Sequence, residues 1–237
     1  MFRNLSTILL TIFTINTCFG QKTSNELLKE GNQYQSDKKY KEAIDDFSEA
    51  IKLDSKNSDA YYFRANARFG LKDFRKAIDD YSECLKINNK YVHAFYNRGN
   101  SYYELEEFEK AISDFSHALK LDSTLYDGYF DRGNAHYKLD NFKDAISDFT
   151  KGLQIKPDFA DGYYDRANAK FQLEQYTDAL IDYSKAIEVN PKENDYYFNR
   201  AINEFNLEMT SEGCKDLEKA KELGDTEAED YMKEFCL

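Results

Sequence analysis

YFDRGNAHYKLDNFKDAISDFTKGLQIKP, residues 129–157, reads as two short helices joined by a turn. Its first half sets the large Tyr129 four residues before the small Gly133. Its second half opens on Phe142 and continues with Ala145, Phe149 and Gly152 at helical spacing. The aspartate of this stretch, Asp148, has counterparts at Asp46, Asp80, Asp114, Asp182 and Asp216, a period of 34 residues. A helix-turn-helix unit of that length cannot bury its own apolar face, and stacking on copies of itself does so. The period therefore predicts a solenoid rather than a compact globule.

Cut at 24, 58, 92, 126, 160 and 194, the chain aligns without a gap into units 24–57, 58–91, 92–125, 126–159, 160–193 and 194–227. First helices carry Leu27, Tyr61, Phe95, Tyr129, Tyr163 and Tyr197, followed four residues later by Gly31, Ala65, Gly99, Gly133, Ala167 and Ala201. Second helices open with Tyr40, Phe74, Phe108, Phe142 and Tyr176 and then place Ala43, Ala77, Ala111, Ala145, Ala179 and Gly213. Aromatics follow at Phe47, Tyr81, Phe115, Phe149 and Tyr183, then small residues at Ala50, Cys84, Ala118, Gly152, Ala186 and Ala220. Small residues let helix backbones approach, and aromatics fill the space between layers. The last unit departs, with Thr210, Gly213 and Leu217 in these slots. The segment after it carries Ala228, Tyr231, Met232 and Phe235 on one face and reads as a solvating helix over 228–237.

These positions resemble the tetratricopeptide repeat family from about Ser24 to Glu227, with Pro157 and Pro191 at the family's inter-repeat turn. The resemblance implies an all-α, right-handed superhelical solenoid of six repeats plus a C-terminal capping helix. It also implies a non-catalytic scaffold for protein partners, with the first helices lining a concave groove.

Of 237 residues, 41% are hydrophobic and 32% charged, with a net charge of -12 that disfavours nucleic acid and anionic lipid. Arg3, the apolar run 5–15 and Cys18-Phe-Gly20 read as a secretory signal peptide, residues 1–20, cleaved after Gly20. That predicts an exported protein, periplasmic or secreted. A lipoprotein anchored at Cys18 is the rival, although Thr17 is larger than such a signal prefers, and a buried N-terminal helix would want a polar face. No other segment is apolar enough to enter a membrane.

Cys84 sits in a small-residue slot and reads as a buried thiol. Cys214 and Cys236 fall near facing ends of two antiparallel helices, which predicts a disulfide pinning the cap; two buried free thiols are the alternative. Arg64, Arg98, Arg132, Arg166 and Arg200 repeat with the aspartates, while unit one has Glu30 in that slot. Pairing within a unit would set Asp46 against Glu30, so the expectation is an inter-repeat ladder, Asp46 with Arg64 onward to Asp182 with Arg200.

Mapped onto the groove of the resemblance, Tyr62, Tyr96, Phe130, Tyr164 and Phe198 face inward. Next come Asn32, Asn66, Asn100, Asn134 and Asn168, then Phe69, Tyr103, Tyr137, Phe171 and Phe205. A column of amides can bond an extended peptide backbone, or only neighbouring repeats. Asp59, Asp127, Asp161 and Asp195 start first helices, with Asp131 and Asp165 nearby, so the groove should be negative and suit a neutral or basic peptide. Apart from Lys29 it lacks the cations of a carboxylate clamp. His93, His117 and His136 fall at three different repeat positions with no metal spacing, and no phosphate loop or nucleophile motif is present. The expectation is no cofactor, no metal and no catalysis; a hydrolase would need activity that no motif announces. The alternative to groove binding is an assembly module using its edges or convex face. Oligomeric state is open.

Overall fold

The computed structural model describes residues 22–236, so the signal peptide read over 1–20, with Cys18, lies outside the described residues. Those described residues contain thirteen helices. Unit one is α1 (Ser24–Ser36) and α2 (Tyr40–Leu53), unit two α3 (Ser58–Gly70) and α4 (Phe74–Ile87), unit three α5 (Val92–Glu104) and α6 (Phe108–Leu121). Unit four is α7 (Tyr126–Lys138) and α8 (Phe142–Ile155), unit five α9 (Ala160–Gln172) and α10 (Tyr176–Val189), unit six α11 (Asn194–Asn206) and α12 (Thr210–Glu222). A final helix, α13 (Ala228–Phe235), closes the array. Each helix packs on its neighbours in chain order, and the first helices of units one to five also touch in succession. That is an all-α repeat solenoid.

The repeat residues explain the stacking. Ala43, Ala77, Ala111, Ala145 and Ala179 are fully buried, as are Phe47, Phe115 and Phe149. Each buried ring contributes roughly 1.5–3 kcal/mol of hydrophobic stabilisation. Within every unit the first helix ends in the same tight turn. In unit four, the Asn141 amide donates to the His136 carbonyl at 2.9 Å and the Asp140 amide to that of Tyr137 at 3.0 Å. This double cap needs a left-handed residue, supplied by Lys38, Lys72, Glu106, Asp140, Glu174 and Glu208 rather than glycine.

The charge ladder differs from the inter-repeat pairing expected above. Arg64, Arg98, Arg132, Arg166 and Arg200 each grip the aspartate of their own unit, Asp80, Asp114, Asp148, Asp182 and Asp216, in two-pronged fashion at 2.6–2.9 Å. The remaining Nη1 donates backward to Ser48, Ser82, Ser116, Thr150 or Ser184 of the preceding unit. Antiparallel packing within a unit sets arginine and aspartate sixteen residues apart face to face, and the planar guanidinium fork matches the carboxylate. Each guanidinium also lies 5.6–5.9 Å from the centre of the ring three residues earlier. Unit one accepts the like-charge contact that the sequence reading rejected. Burial raises the Asp46 carboxyl above its ordinary range, Glu30 adds to the shift, and Lys22 beside them opposes it. Lys22 itself bonds Glu30.

At the other end, Cys214 and Cys236 form a disulfide with Cα atoms 5.7 Å apart. Its 22-residue separation corresponds to about 3 kcal/mol on the loop-entropy account. It fastens α13 where Tyr231 meets Phe198 edge-on and Phe235 stacks on Phe205 at 4.9 Å. Phe235 remains 41% exposed, at the rim of that contact. Cys84 is a buried free thiol, and burial pushes it up to about 12.

Candidate functional site: the groove along the first helices

A row of open hollows follows the first helices. One between units one and two is lined by Asn32, Tyr62, Asn66 and Phe69. The next, over units two to four, carries Tyr96, Asn100, Tyr103, Asp131 and Asn134. A third, of about 430 Å³, collects Asp127, Asp131, Asn134, Asp161, Tyr164 and Asp165 with Glu193 and Asp195. Asn168 lies in a fourth with Tyr137, Phe171 and Asn199. These separate hollows take in Tyr62, Tyr96, Tyr164 and the five asparagines read from the sequence, whereas Phe198 and Phe205 pack against Tyr231 and Phe235 of α13. Phe130 is the intermediate case. It is 4% exposed and packed among Phe149, Leu153 and Phe159, so only its edge reaches the third hollow.

The asparagine column is two populations. The Tyr81 hydroxyl donates to the Asn66 oxygen at 2.6 Å, and Tyr183 does the same to Asn168 at 2.7 Å. Asn66 also accepts from Asn97 at 3.0 Å. Units one, three and four carry Phe47, Phe115 and Phe149 at the tyrosine position, and a phenyl ring has no hydroxyl to donate. Asn32, Asn100 and Asn134 accordingly have no side-chain hydrogen bond to their second helix among the described residues. The outer ring row is structural in part. Phe69, Tyr103, Tyr137 and Phe171 each meet the first aromatic of the second helix edge-on at 5.2–5.3 Å.

Sequence reading missed a second relay, running between units. The ring at the inward position bonds the residue 35 further on: Asn97 donates to the Tyr62 hydroxyl, Tyr96 donates to Asp131 at 2.6 Å, and Asn199 donates to Tyr164. At the next step the ring is Phe130, and Asp165 has no hydrogen-bond partner among the described residues. Aligning the units with an offset of 35 rather than 34 would have found it. Burial raises Asp131 to about 6, with Tyr96 opposing and Asp127 adding. Asp165 goes further, to about 7, through burial and then Asp161. Tyr196 donates to Asp161. Asp127, Asp161, Glu193 and Asp195 are exposed at the mouth of this hollow. The arrangement is an aromatic-walled basin whose groups would satisfy a cation or an N–H donor; nothing in it resembles a nucleophile with its base.

Among the described residues no helix is long and apolar enough to cross a membrane. The TPR repeat model matches residues 31–72 and 99–140, and the tetratricopeptide repeat model matches 58–91, 126–159 and 160–193. None of the curated proteins matches the chain. Among solved structures it resembles YrrB, described as a TPR protein with an unusual peptide-binding site, at TM-score 0.71 and 20% identity over 79% of this chain and 97% of that one. Pseudomonas aeruginosa PilF gives 0.73 at 16% identity, covering 89% and 97%. A tetratricopeptide repeat protein of Parabacteroides merdae gives 0.61 at 21%, covering 90% and 82%. At such identities these likenesses speak for the fold alone. The matched repeats, with the period and packing that underlie them, make this chain a member of the tetratricopeptide repeat family, whose repeats serve as protein–protein interaction scaffolds.

Proposed function

We propose that the chain is an exported, non-catalytic scaffold that holds an extended, neutral or basic peptide segment in the groove of its first helices. A lysine or arginine side chain of that segment enters the third hollow, while the amides of Asn100 and Asn134 bond its backbone. The observation that carries this reading is Asp165, a partly buried carboxyl left without a donor because Phe130 stands where neighbouring units use tyrosine. A ligand ammonium or guanidinium supplies the missing donor and offsets the crowding of Asp127, Asp131 and Asp161. Export rests on residues 1–20, and a disulfide at Cys214–Cys236 suits an oxidising compartment.

The test is fluorescence anisotropy with two labelled peptides that differ only in lysine against glutamate. The lysine peptide should bind the native chain and lose at least about tenfold in affinity when Asp127, Asp131 and Asp165 are changed together to lysine. Equal binding of both peptides, or indifference to the charge reversal, would count against the groove. The second reading is edge-mediated assembly. It is favoured by the half-exposed row Leu53, Ile87, Leu121 and Ile155, each 40–42% exposed at the end of a second helix. Under that reading, Leu121→Glu with Ile155→Glu changes the assembly state while the charge reversal does not.

A further inference from the structure

Beside each ladder arginine runs a second slot, one turn further along the first helix. Arg68 fills it in unit two, 2.8 Å from Asp80 and donating to the Lys76 carbonyl at 3.2 Å. Lys170 fills it in unit five, 2.7 Å from Asp182 and donating to the Asp178 carbonyl at 3.4 Å. In unit four His136 lies there, its Nε2 3.9 Å from Asp148. Unit six places Glu204 in the slot, 5% exposed, its Oε2 shut off from solvent without a hydrogen-bond partner. From α12 it faces Asp216 and Glu212, and from its own helix Arg200. Arg200 stands 4.0 Å away, and its guanidinium is already held by Asp216 and Ser184. Among the described residues no other cation comes within 4.0 Å of Glu204. In units two and five the slot presents acceptors to a cationic donor, whereas units one and three place Tyr34 and Tyr102 there without such a bond among the described residues. A carboxyl group donates only while it keeps its proton.

We propose that Glu204 is a proton-gated rung of the ladder: protonated, it donates where units two and five use arginine and lysine, and its ionisation sets two buried carboxylates against one arginine and loosens unit six. The disulfide-bound α13 rides on that unit and loosens with it. The sign follows from burial and Asp216, which raise Glu204 from 4.5 to about 7. The folded chain keeps a proton that the unfolded chain releases, so this contribution is complete below the ordinary carboxyl range and is lost as pH rises through about 7.

Hydrogen exchange on the full chain, disulfide intact, tests this near pH 5 and pH 8 after correction for intrinsic rates. Amides of α11–α13 should lose about tenfold in protection at the higher pH, while α3–α6 hold theirs. Glu204→Gln, a permanent donor, should keep the protection of low pH throughout; Glu204→Lys should do the same by copying Lys170. Persistence of the native pH response in both variants would overturn the proposal. If either variant fails to fold, carbon-13 titration of the native Glu204 carboxyl decides: a midpoint above 6 supports the rung, and one below 5 refutes it.

Discussion

Units two and five solve the same packing problem as units one, three and four with different side chains. In units two and five the small slot is Ala65 or Ala167, and the second helix brings Tyr81 or Tyr183, whose hydroxyl is tied to Asn66 or Asn168. In the other three the slot is Gly31, Gly99 or Gly133 and the ring is Phe47, Phe115 or Phe149. A methyl group at those glycines would meet the ring at 2.5–2.7 Å. Without a hydroxyl to anchor its tip, the phenyl ring settles over the helix backbone, and only glycine leaves room. Glycine against alanine, phenylalanine against tyrosine, and an asparagine without or with its second-helix bond are thus one coupled choice. Its consequence lies along the first helices, where Asn32, Asn100 and Asn134 keep their amides without a second-helix bond among the described residues, as the proposed peptide contact requires.

The largest effect should come from breaking that coupling. Gly133→Ala sets a methyl 2.6 Å from Phe149 and should destabilise the fold by about 1–3 kcal/mol, although alanine favours a helix. Adding Phe149→Tyr should return at least about 1 kcal/mol, because the hydroxyl then reaches Asn134 and draws the ring aside. Urea unfolding of the two single variants and the double variant measures the coupling; strictly additive losses would separate the two choices.

A second effect, smaller in free energy, concerns the hollow that the middle units share with unit five. Affinity for a lysine peptide should rise between pH 5 and pH 8, because Asp131 and Asp165, at about 6 and about 7, ionise across that range and the bound cation favours the charged forms. Asp165→Asn should cost about tenfold in affinity and flatten the pH dependence, with stability unchanged or slightly raised. Phe130→Tyr, which gives Asp165 the hydroxyl that Tyr96 gives Asp131, should cost only a few-fold and move the midpoint downward. Calorimetric titration across the pH series reads all three. An affinity that falls with rising pH in the native chain would contradict the hollow as the cation site.

Much of the fold was legible because the repeat supplies its own alignment: thirty-four residues of spacing locate helices, small slots and rings without any other sequence. The cysteine pair was legible for a similar reason, since antiparallel helices fix which ends meet. The ladder was misread on a single premise, that Asp46 would not tolerate Glu30 nearby. That premise treated the first unit as representative, whereas a terminal unit can leave a raised, partly buried carboxyl beside Lys22. Phe130 was placed on the groove by position alone, and Phe159 and Leu153 draw it inward. The split of the asparagines depends on one hydroxyl per unit, a difference that a pattern of "aromatic" positions erases.

Side-chain amide resonances of the asparagines test the central claim most directly. On titration with a lysine-containing extended peptide, Asn100 and Asn134 should show the largest shifts, with Asn66 and Asn168 held near their free positions by Tyr81 and Tyr183. Shifts greatest at Asn66 and Asn168, or confined to the second helices, would contradict a groove whose middle units are the ones open to a ligand.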